Sequence, residues 1–495
     1  MENTKKTVFL TGATGTMGAA GLRELAKKLD KFNIVVLARP SEINHKKLAP
    51  YGDKIQVVWG DLTNYDDVLK GVTGSDIVLH VGGMVSPAAD YKPKSTMRVN
   101  LTAADNIIKA VLAQPEDKQP RVVYIGSVAQ TGPRNEPIHW GRTGDPIQVS
   151  VYDHYGISKV LAERKFVESG IKKWVSLRQS GILYPNILKN YDPIMFHVPI
   201  RGVLEWATVD DSGRLLANVC EDDVPEEFWN RFYNIGSGPE YRLSNYEFEC
   251  LLLDAISCPG PEKIFESNWF VLRNFHGHWY EDSDVLENYL HFRENIPVKE
   301  YFKKMGESVP KYYRLAKLVP APLIKLGMKP MAYKKVFGTQ NWIKERNEVR
   351  ISAYYGSYEK WAAIPDWKDM DLSHPSETPK HLDHGFDETK PVSELCLDDM
   401  KQAAKFRGGE CLSTEMTPGD ITTKLDWKCQ FGHEFKASPN LILFGGHWCP
   451  ECMPMPWNYD EIAKGNPFFA QVWLAAHDPD EHNVYDEHIF DGWED

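Results

Sequence analysis

The sequence predicts an α/β fold in which helices cover both faces of a parallel sheet, with a small metal-binding module near the C-terminus. Three observations support this prediction. Short apolar runs alternate with helical segments over roughly the first 300 residues, a glycine-rich turn follows the first run, and paired cysteine and histidine residues occur between 429 and 452. Strands that alternate with helices along a chain are typical of a parallel sheet.

The predicted strands are short and rich in β-branched and apolar residues. In chain order they are TVFLTG, NIVVLAR, KIQVVWGD, DIVLHVG and RVVYIGS. Helical segments such as AAGLRELAKKL and NLTAADNIIKAVL lie between them. Such nearly continuous apolar runs indicate strands that are buried on both faces.

Length and composition exclude several classes of protein. The chain has 495 residues, enough for two or three domains. Its net charge of -12 argues against a general nucleic-acid binder, and eight cysteines are too few for a disulfide scaffold. The apolar run near the start is too short for a signal peptide, and no run reaches the ~18 residues of a membrane span. We therefore expect a soluble, cytoplasmic protein that binds no nucleic acid.

A glycine triplet follows the first predicted strand. Gly12, Gly15 and Gly18 open the first helix, where backbone N–H groups and a helix N-terminus can hold a dinucleotide pyrophosphate. Their spacing is G-x-x-G-x-x-G, not the G-x-G-x-x-G of the commonest dinucleotide binders. The context of the triplet, at the first strand–helix turn, nevertheless predicts a dinucleotide site.

The stretch VYDHYGISKV, residues 151–160, contains a candidate proton-transfer pair. Tyr155 and Lys159 are four residues apart, so on a helix they share one face. A cation one turn away favours the phenolate and makes the hydroxyl a better proton donor and acceptor at neutral pH.

Together these motifs resemble the extended branch of the short-chain dehydrogenase/reductase family. They occur in the family's order over residues 5–300, as TGATGTMG at 11–18, GDL at 60–62, LHVGG at 79–83, Asn100, YIGSVAQTG at 124–132, YGISK at 155–159 and LRQSGILYP at 177–185. The resemblance implies a Rossmann-type doubly wound parallel sheet with a smaller substrate-binding lobe, and NAD(P)-dependent oxidoreductase activity.

The resemblance also implies roles for single residues. Tyr155 is expected to act as the general acid/base, and Lys159 to lower its pKa and bond the nicotinamide ribose. Ser127 is expected to hold the reacting oxygen, while Tyr152 is interpreted as packing or as part of a pocket wall. The residues expected to bind or support the cofactor are Gly12, Thr14, Gly15, Thr16, Met17, Gly18, Arg39, Asp61, Leu62, Val81, Gly82, Asn100, Tyr155 and Lys159.

The end of the second predicted strand bears on cofactor choice. An NAD-binding protein usually carries Asp or Glu there, bonded to the ribose 2′-hydroxyl. Here the strand ends VVLARP, with Arg39 and no carboxylate before Glu42. Because an arginine can bind a 2′-phosphate through two N–H groups, NADP is favoured, with NAD left open.

Substrate class is inferred from departures from the family's patterns. Val128 and Ala129 stand where sugar-nucleotide dehydratases carry an Asp-Glu pair, and Leu204 stands where sugar-nucleotide enzymes carry a diphosphate-binding arginine. A leucine can line an apolar pocket but cannot offset a diphosphate's charge. The aromatic segment 268–280 is either a substrate lid or a small core. We expect a bulky apolar alcohol or ketone, such as a steroid, polycyclic or lipid-like compound.

Two alternatives to this activity are kept open. One is a nucleotide-sugar epimerase of the same family, which Leu204 argues against. The other is a non-catalytic dinucleotide-binding regulatory or scaffold protein, which would not need the Ser-Tyr-Lys set. We also expect a homodimer.

The second part of the chain is read as separate segments. We divide the chain into the dinucleotide-binding and substrate domain (1–310), a basic, apolar and helical segment (311–371), a polar linker or strap (372–400), a zinc-ribbon-like module (401–460) and an acidic tail (461–495). Residues 311–343 hold seven Lys or Arg and no acid. They form either helices docked on the enzyme or an amphipathic segment in peripheral contact with a membrane.

The module contains two pairs of candidate metal ligands. Three residues separate Cys429 from His433, and Cys449 and Cys452 form a C-x-x-C pair. The stretch resembles small zinc ribbons of the W-x-C-x-x-G-H … W-C-x-x-C kind. Four protein ligands leave no open position, so the expected zinc is structural. His447 is a spare candidate ligand, and Cys411 is interpreted as a buried thiol.

Overall fold

Seven parallel strands form the main sheet of the protein. The structure is a computed structural model that describes residues 5–189, 191–453 and 458–486. The strands are β1 (Lys6–Thr11), β2 (Phe32–Ala38), β3 (Gln56–Trp59), β4 (Ile77–His80), β5 (Arg121–Ser127), β6 (Trp174–Gln179) and β7 (Arg231–Ile235). Their order is β7-β6-β5-β4-β1-β2-β3, and all neighbours are parallel. The predicted α/β fold with a parallel sheet is confirmed.

Helices cover both faces of this sheet. They are α1 (Thr16–Leu25), α2 (Glu42–Leu48), α3 (Tyr65–Val72), α4 (Pro93–Leu112), α5 (His154–Val167) and α6 (Val209–Asn218). Successive strand residues point to opposite faces. Val8 and Leu10 therefore share a core with α1 and α6, whereas Phe9 shares one with α3, α4 and α5.

The strand order reverses at β1, which lies between β2 and β4. In open α/β sheets the crevice at such a point, beyond the carboxyl ends of the strands, binds ligands. Thr11 links the two strand ends here, because its Oγ1 accepts hydrogen bonds from the N–H groups of Val81 at 3.1 Å and Gly82 at 3.0 Å.

A smaller lobe adjoins the carboxyl edge of the sheet. Its short paired strands are Trp140–Gly141, Ile182–Leu183, Val203–Glu205, Ala207–Thr208, Arg242–Ser244 and Trp279–Tyr280. Its helices are α7 (Asn245–Ala255), α8 (Pro261–Ile264) and α10 (Val298–Ser308), whereas α9 (Ser283–Leu290) packs on β7 in the core of the main sheet. Phe248 and Phe302 belong to one apolar core of the lobe, and Phe196 and Trp269 belong to a second.

The basic segment is mostly helical and lies on this lobe. A 3₁₀ stretch, Lys311–Leu318, precedes α11 (Ala321–Ala332), α12 (Thr339–Lys344), α13 (Glu348–Tyr355) and α14 (Tyr358–Ala362). None of the helices in the described ranges combines the length and the apolar character needed to cross a bilayer.

The C-terminal module packs on the sheet domain. It contains α15 (Leu397–Phe406) and a three-stranded antiparallel sheet of β8 (Glu410–Cys411), β9 (Leu425–Lys428) and β10 (Glu434–Ala437). Trp427 and Leu441 share a core with Phe9 and Val122 of the main sheet, and Cys411 is buried in the same core.

Two further segments cross the surface of the sheet domain. Residues 372–391 contain no helix or strand, and they are held by ion pairs between His384 and Asp145 and between Glu388 and Arg142, each at 2.8 Å. Residues 461–486, assigned above to the acidic tail, include the end of α16 (Tyr459–Gly465) and all of α17 (Pro467–Trp473). Glu481 pairs with Arg273 at 2.8 Å. The rest of that tail, 487–495, lies outside the described residues.

Candidate active site and metal centre

The turn after β1 has room only for glycine at two of its positions. Gly12 has φ of +74°, and a Cβ there would lie 2.8 Å from the Gly82 backbone. A Cβ on Gly18 would lie 2.1 Å from the Gly12 carbonyl oxygen. The residue that precedes α1, Gly15, has no side chain to cap the helix. The first-turn N–H groups can therefore bind an anion such as a phosphate.

A cavity of about 640 Å³ runs from this turn along the carboxyl edge of the sheet. Of the predicted cofactor residues, those that line it are Gly12, Thr14, Gly15, Thr16, Met17, Gly18, Arg39, Asp61, Leu62, Val81, Gly82, Tyr155 and Lys159. The cavity therefore brings together predicted residues that are up to 147 positions apart in the chain, from Gly12 to Lys159.

Tyr155 lines this cavity, whereas Ser127 lies beside Tyr155 and is not among the lining residues. Ser127 is the last residue of β5, and its Oγ accepts a hydrogen bond from the Ala129 N–H at 3.2 Å. Tyr155 is in the first turn of α5, where Asp153 caps the helix by accepting from the Gly156 N–H at 2.8 Å. The side chains of Tyr155 and Ser127 are hydrogen-bonded to each other.

Lys159 lies one turn further along α5. Its Nζ donates to the Ile125 carbonyl oxygen at 2.8 Å and lies 5.8 Å from the centre of the Tyr155 ring. Burial lowers the pKa of Lys159 to about 8, although Glu163 acts in the opposite direction. Burial likewise raises the pKa of Tyr155 to about 12, and the hydrogen bond from Ser127 only partly offsets this. The depressed tyrosine pKa expected above is therefore not observed, because burial outweighs the neighbouring polar groups.

Asn100 supports the cavity from behind its wall. Its amide group is bonded to the backbone of Met84, accepting from the N–H at 2.7 Å and donating to the carbonyl oxygen at 3.0 Å. It also donates to Ser158 Oγ at 2.9 Å. Asn100 thus fixes the loop after β4 against α5, next to Lys159.

Sequence reasoning missed two polar residues near Arg39. Asn44 and Lys47, on α2, also line the cavity. Asn44 donates to the Arg39 carbonyl oxygen at 2.9 Å, and Lys47 donates to the Thr14 carbonyl oxygen at 2.7 Å. The sequence feature that could have identified them is Ser41, the N-cap of α2. A helix that begins there places Asn44 and Lys47, three residues apart, on the face directed to the end of β2.

A second, apolar cavity of about 190 Å³ lies in the smaller lobe. Leu204 lines it, together with Trp206, Phe248 and Leu252. Arg134 also lines it, but this guanidinium is paired with Asp145 at 2.6 Å. The cavity therefore offers mainly apolar surface, and its one arginine already has a carboxylate partner.

The aromatic segment 268–280 serves both as core and as cavity wall. Trp269 and Phe270 are buried in the core of the lobe, whereas Phe275 and His276 line the apolar cavity. Both interpretations of this segment therefore hold, for different parts of it.

A small cavity of about 50 Å³, called the connecting cavity below, adjoins the apolar cavity. It shares Asp192, Phe275 and His276 with the apolar cavity. Ser86, in its wall, follows a residue that lines the cofactor cavity. Tyr152 also lines it, which agrees with the interpretation of Tyr152 as part of a pocket wall.

Four predicted metal ligands converge in the C-terminal module. The ligand atoms of Cys429, His433, Cys449 and Cys452 all lie within 4.8 Å of one another. The distance from Cys429 Sγ to Cys452 Sγ is 3.7 Å, and from His433 Nδ1 to Cys452 Sγ it is 3.3 Å. With Zn–S bonds of about 2.3 Å and Zn–N bonds of about 2.1 Å, ligand atoms of a tetrahedral site lie roughly 3.5–3.8 Å apart. The set therefore fits a zinc ion.

The module contacts the helix that carries Tyr155 and Lys159. His447 Nε2 lies 2.8 Å from the Glu163 carboxylate of α5, which is also paired with Arg178 at 2.7 Å. Burial opposes ionisation of Glu163, but Arg178 and His447 together hold its pKa below its usual range. His447 is thus a partner of α5 and not a member of the four-residue cluster.

Comparisons with known proteins agree with the motifs. Residues 8–175 match the NAD dependent epimerase/dehydratase family, so the resemblance drawn from the sequence is confirmed for this part of the chain. The chain is 27% identical over 171 residues to 3 beta-hydroxysteroid dehydrogenase type 7 of Mus musculus, covering 33% of this chain and 45% of that protein. The Homo sapiens protein of the same name is 26% identical over 175 residues, covering 34% and 46%.

The chain spans about half the length of the curated relatives it matches. Among solved structures, dTDP-glucose 4,6-dehydratase from Streptomyces venezuelae, with NAD bound, has 17% sequence identity and a TM-score of 0.49. The match covers 64% of this chain and 99% of that chain.

Proposed function

We propose that this chain, whose residues 8–175 match the NAD dependent epimerase/dehydratase family, is an NADP-dependent oxidoreductase that interconverts a hydroxyl group and a ketone on a bulky apolar substrate. The observation that carries the proposal is that Tyr155 and Lys159 line the cavity that begins at the glycine turn, with Ser127 beside Tyr155. Oxidation of polycyclic secondary alcohols by NADP, set against epimerisation of UDP-glucose, tests it.

The proposed chemistry assigns a proton-transfer role to Tyr155. A bound nicotinamide cofactor supplies or accepts the hydride. With a pKa of about 12, the Tyr155 hydroxyl is protonated at neutral pH, so it can donate a proton to the oxygen of a ketone under reduction. Ser127 donates to the same oxygen and stabilises the charge that develops on it. Lys159 is positioned to bond the ribose and to supply positive charge beside the tyrosine.

Support for NADP comes from the end of β2. Arg39 and Lys47 both line the cofactor cavity, and the carboxylate that lines it with them, Asp61, follows β3 and not β2. Two cations at this place suit a 2′-phosphate, whereas the ribose 2′-hydroxyl of NAD is usually bound by an acid.

We predict that Arg39→Asp shifts cofactor preference from NADP toward NAD. Loss of a charge-assisted hydrogen bond worth about 2 kcal/mol should weaken NADP binding roughly 30-fold. Fluorescence titration with both reduced cofactors measures this. Lys46→Met is the matched control, because Lys46 pairs with Glu42 on α2 and does not line the cavity. Unchanged relative affinities in Arg39→Asp would remove Arg39 from cofactor selection.

The substrate class is supported by the apolar cavity and its one unpartnered acid. The Glu249 side chain lines this cavity and is 2% exposed, and its Oε2 has no hydrogen-bond partner in the described part of the chain. Burial raises the pKa of Glu249 to about 8, so at neutral pH it is mostly protonated and can donate a hydrogen bond. We propose that it binds an oxygen atom of the apolar substrate, away from the reacting carbon.

Glu249 should also make stability depend on pH. Its pKa is raised in the folded protein, so the folded state holds the proton longer and stability falls as the pH rises from about 4.5 to about 8. We predict that Glu249→Gln raises the melting temperature more at pH 8 than at pH 5. Asp254→Asn, an exposed acid on the same helix, is the control. An equal shift at both pH values would show that Glu249 is ionised in the folded protein.

A nucleotide-sugar substrate is less well supported. Its diphosphate would need free positive charge in the lobe, where Leu204 lines the cavity and Arg134 is already paired with Asp145.

We further propose that Cys429, His433, Cys449 and Cys452 hold one structural zinc ion. Three thiolates and one imidazole fill a tetrahedron, so this site has no part in hydride transfer. Its contact with α5 through His447 and Glu163 supports the helix that carries Tyr155 and Lys159.

A further inference from the structure

The basic segment exposes an unusual number of large apolar side chains. Within residues 311–336, the large apolar side chains between 38% and 71% exposed are Tyr312, Leu315, Leu318, Val319, Leu323, Leu326, Tyr333 and Val336. Scattered exposed apolar residues are ordinary, whereas this many within one short segment indicate a place of contact with another molecule. We call this set, with the basic residues between them, the basic apolar surface.

Helix α11 is apolar on both of its faces. Ile324, Met328 and Met331 pack inward on the core of the smaller lobe. Leu323 and Leu326 point away from that core and are 59% and 65% exposed. A helix on a water-covered surface usually has a polar outer face. The outer face of α11 therefore lacks the composition expected for contact with water alone.

The charge of this surface is positive and largely uncompensated. Residues 311–336 contain seven basic residues and no acid, in a chain whose net charge is -12. These basic residues are Lys311, Arg314, Lys317, Lys325, Lys329, Lys334 and Lys335. Within the ranges that the structure covers, only Lys325 of this set forms an ion pair, with Glu266 at 2.7 Å. The surface is thus complementary to a partner that is apolar and negatively charged.

We propose that the basic apolar surface binds a bilayer that contains anionic lipids. The leucine and tyrosine side chains enter the boundary between headgroups and acyl chains, and the basic side chains lie at the phosphates. A second copy of this chain fits less well. A two-fold dimer through this surface would place the same seven positive charges opposite each other.

The basic apolar surface lies beside the connecting cavity. Tyr191 donates to the Gly327 carbonyl oxygen of α11 at 2.7 Å, and Lys334 Nζ donates to the hydroxyl oxygen of Tyr91 at 2.9 Å. Tyr91 lines the connecting cavity. An apolar substrate dissolved in the bilayer would therefore enter the protein beside the surface that contacts the membrane. This last step rests on the proposed function, whereas lipid binding does not.

Co-sedimentation with vesicles tests the proposal. The full chain is mixed with vesicles of phosphatidylcholine alone or of phosphatidylcholine with phosphatidylserine, at low and at high salt. We expect binding to the anionic vesicles that is about tenfold or more tighter than to the neutral ones, and that weakens with salt. The triple variant Leu315→Asp, Leu318→Asp, Leu326→Asp and the double variant Lys317→Glu, Lys329→Glu should each lose about tenfold or more in affinity.

The control variant carries Val285→Asp and Val484→Asp, two exposed apolar positions outside the segment in the sequence. It should bind as the wild type does, and cofactor titration checks that every variant is folded. Wild-type protein that stays in the supernatant with both vesicle types would overturn the proposal, and so would equal binding by all variants.

Analytical ultracentrifugation adds one more outcome. A wild-type dimer that becomes monomeric in the triple variant would assign this surface to a second copy and would also overturn the proposal. Because no arm uses turnover, failure here leaves the proposed oxidoreductase function untouched.

Discussion

Replacement of Tyr155 by phenylalanine is expected to lower turnover by about 10²–10⁴-fold, the usual contribution of general acid–base catalysis, while cofactor affinity changes little. The ring and its packing stay, and only the hydroxyl that bonds Ser127 is lost. Steady-state kinetics with the alcohol substrate measure turnover, and titration with reduced cofactor measures cofactor affinity separately.

Tyr152→Phe provides a matched control for this variant. Tyr152 lies three residues away and lines the connecting cavity, so its hydroxyl has no assigned role in proton transfer. We expect its turnover to stay within a few-fold of wild type. If Tyr155→Phe also stays within that range, or if Tyr152→Phe is the more damaging change, the assignment of Tyr155 is wrong.

Cys449→Ser should remove zinc and destabilise the C-terminal region. The Cys449 Sγ lies 3.6 Å from His433 Nδ1, within the four-ligand cluster. Because metal binding supplies much of the folding free energy of a small module, we expect a loss of several kcal/mol in the stability of this region. Faster proteolysis after residue 400 and elemental analysis for zinc measure the effect.

The same variant should also lower activity. The module contacts α5 through His447 and Glu163, and the Glu163 carboxylate raises the pKa of Lys159. Cys411→Ser is the control, because Cys411 is a buried thiol outside the cluster, so its zinc content should equal that of wild type. Carefully prepared wild-type protein that contains no zinc would refute the metal site.

The main sheet was predictable because its signals are local. Strands such as DIVLHVG and RVVYIGS are short apolar runs between helical segments, and the turn at Gly12 follows directly from the first of them. The order of the strands across the sheet depends on contacts between distant segments. It could be expected only from the family resemblance.

The candidate site was predictable to a similar extent. The spacing of Tyr155 and Lys159, and that of the glycines in the first turn, can be seen in the sequence and predicted these parts of the site. Lys47 reaches the cavity because Ser41 begins α2 at the end of β2, and Glu249 does so because α7 packs against Trp206 through Phe248. The raised pKa of Tyr155 could not be predicted, because it depends on burial by segments remote in sequence.

The contact between the C-terminal module and α5 also could not be predicted from the sequence. His447 lies two residues before Cys449, so proximity in sequence suggested a metal ligand. In the folded chain it is directed to Glu163, 284 positions away. A hydrogen bond over such a separation leaves no pattern in a single sequence.

The central claim is hydride transfer between NADP and a bulky apolar alcohol at Tyr155. The most direct test is the rise of near-ultraviolet absorbance from reduced nicotinamide, recorded with NADP, a panel of hydroxysteroids and other polycyclic alcohols, and UDP-glucose as the competing substrate. We predict that reduced cofactor accumulates with at least one polycyclic alcohol, faster with NADP than with NAD, and not with Tyr155→Phe. The account would be contradicted if none of these alcohols reduced either cofactor while the same protein epimerised UDP-glucose.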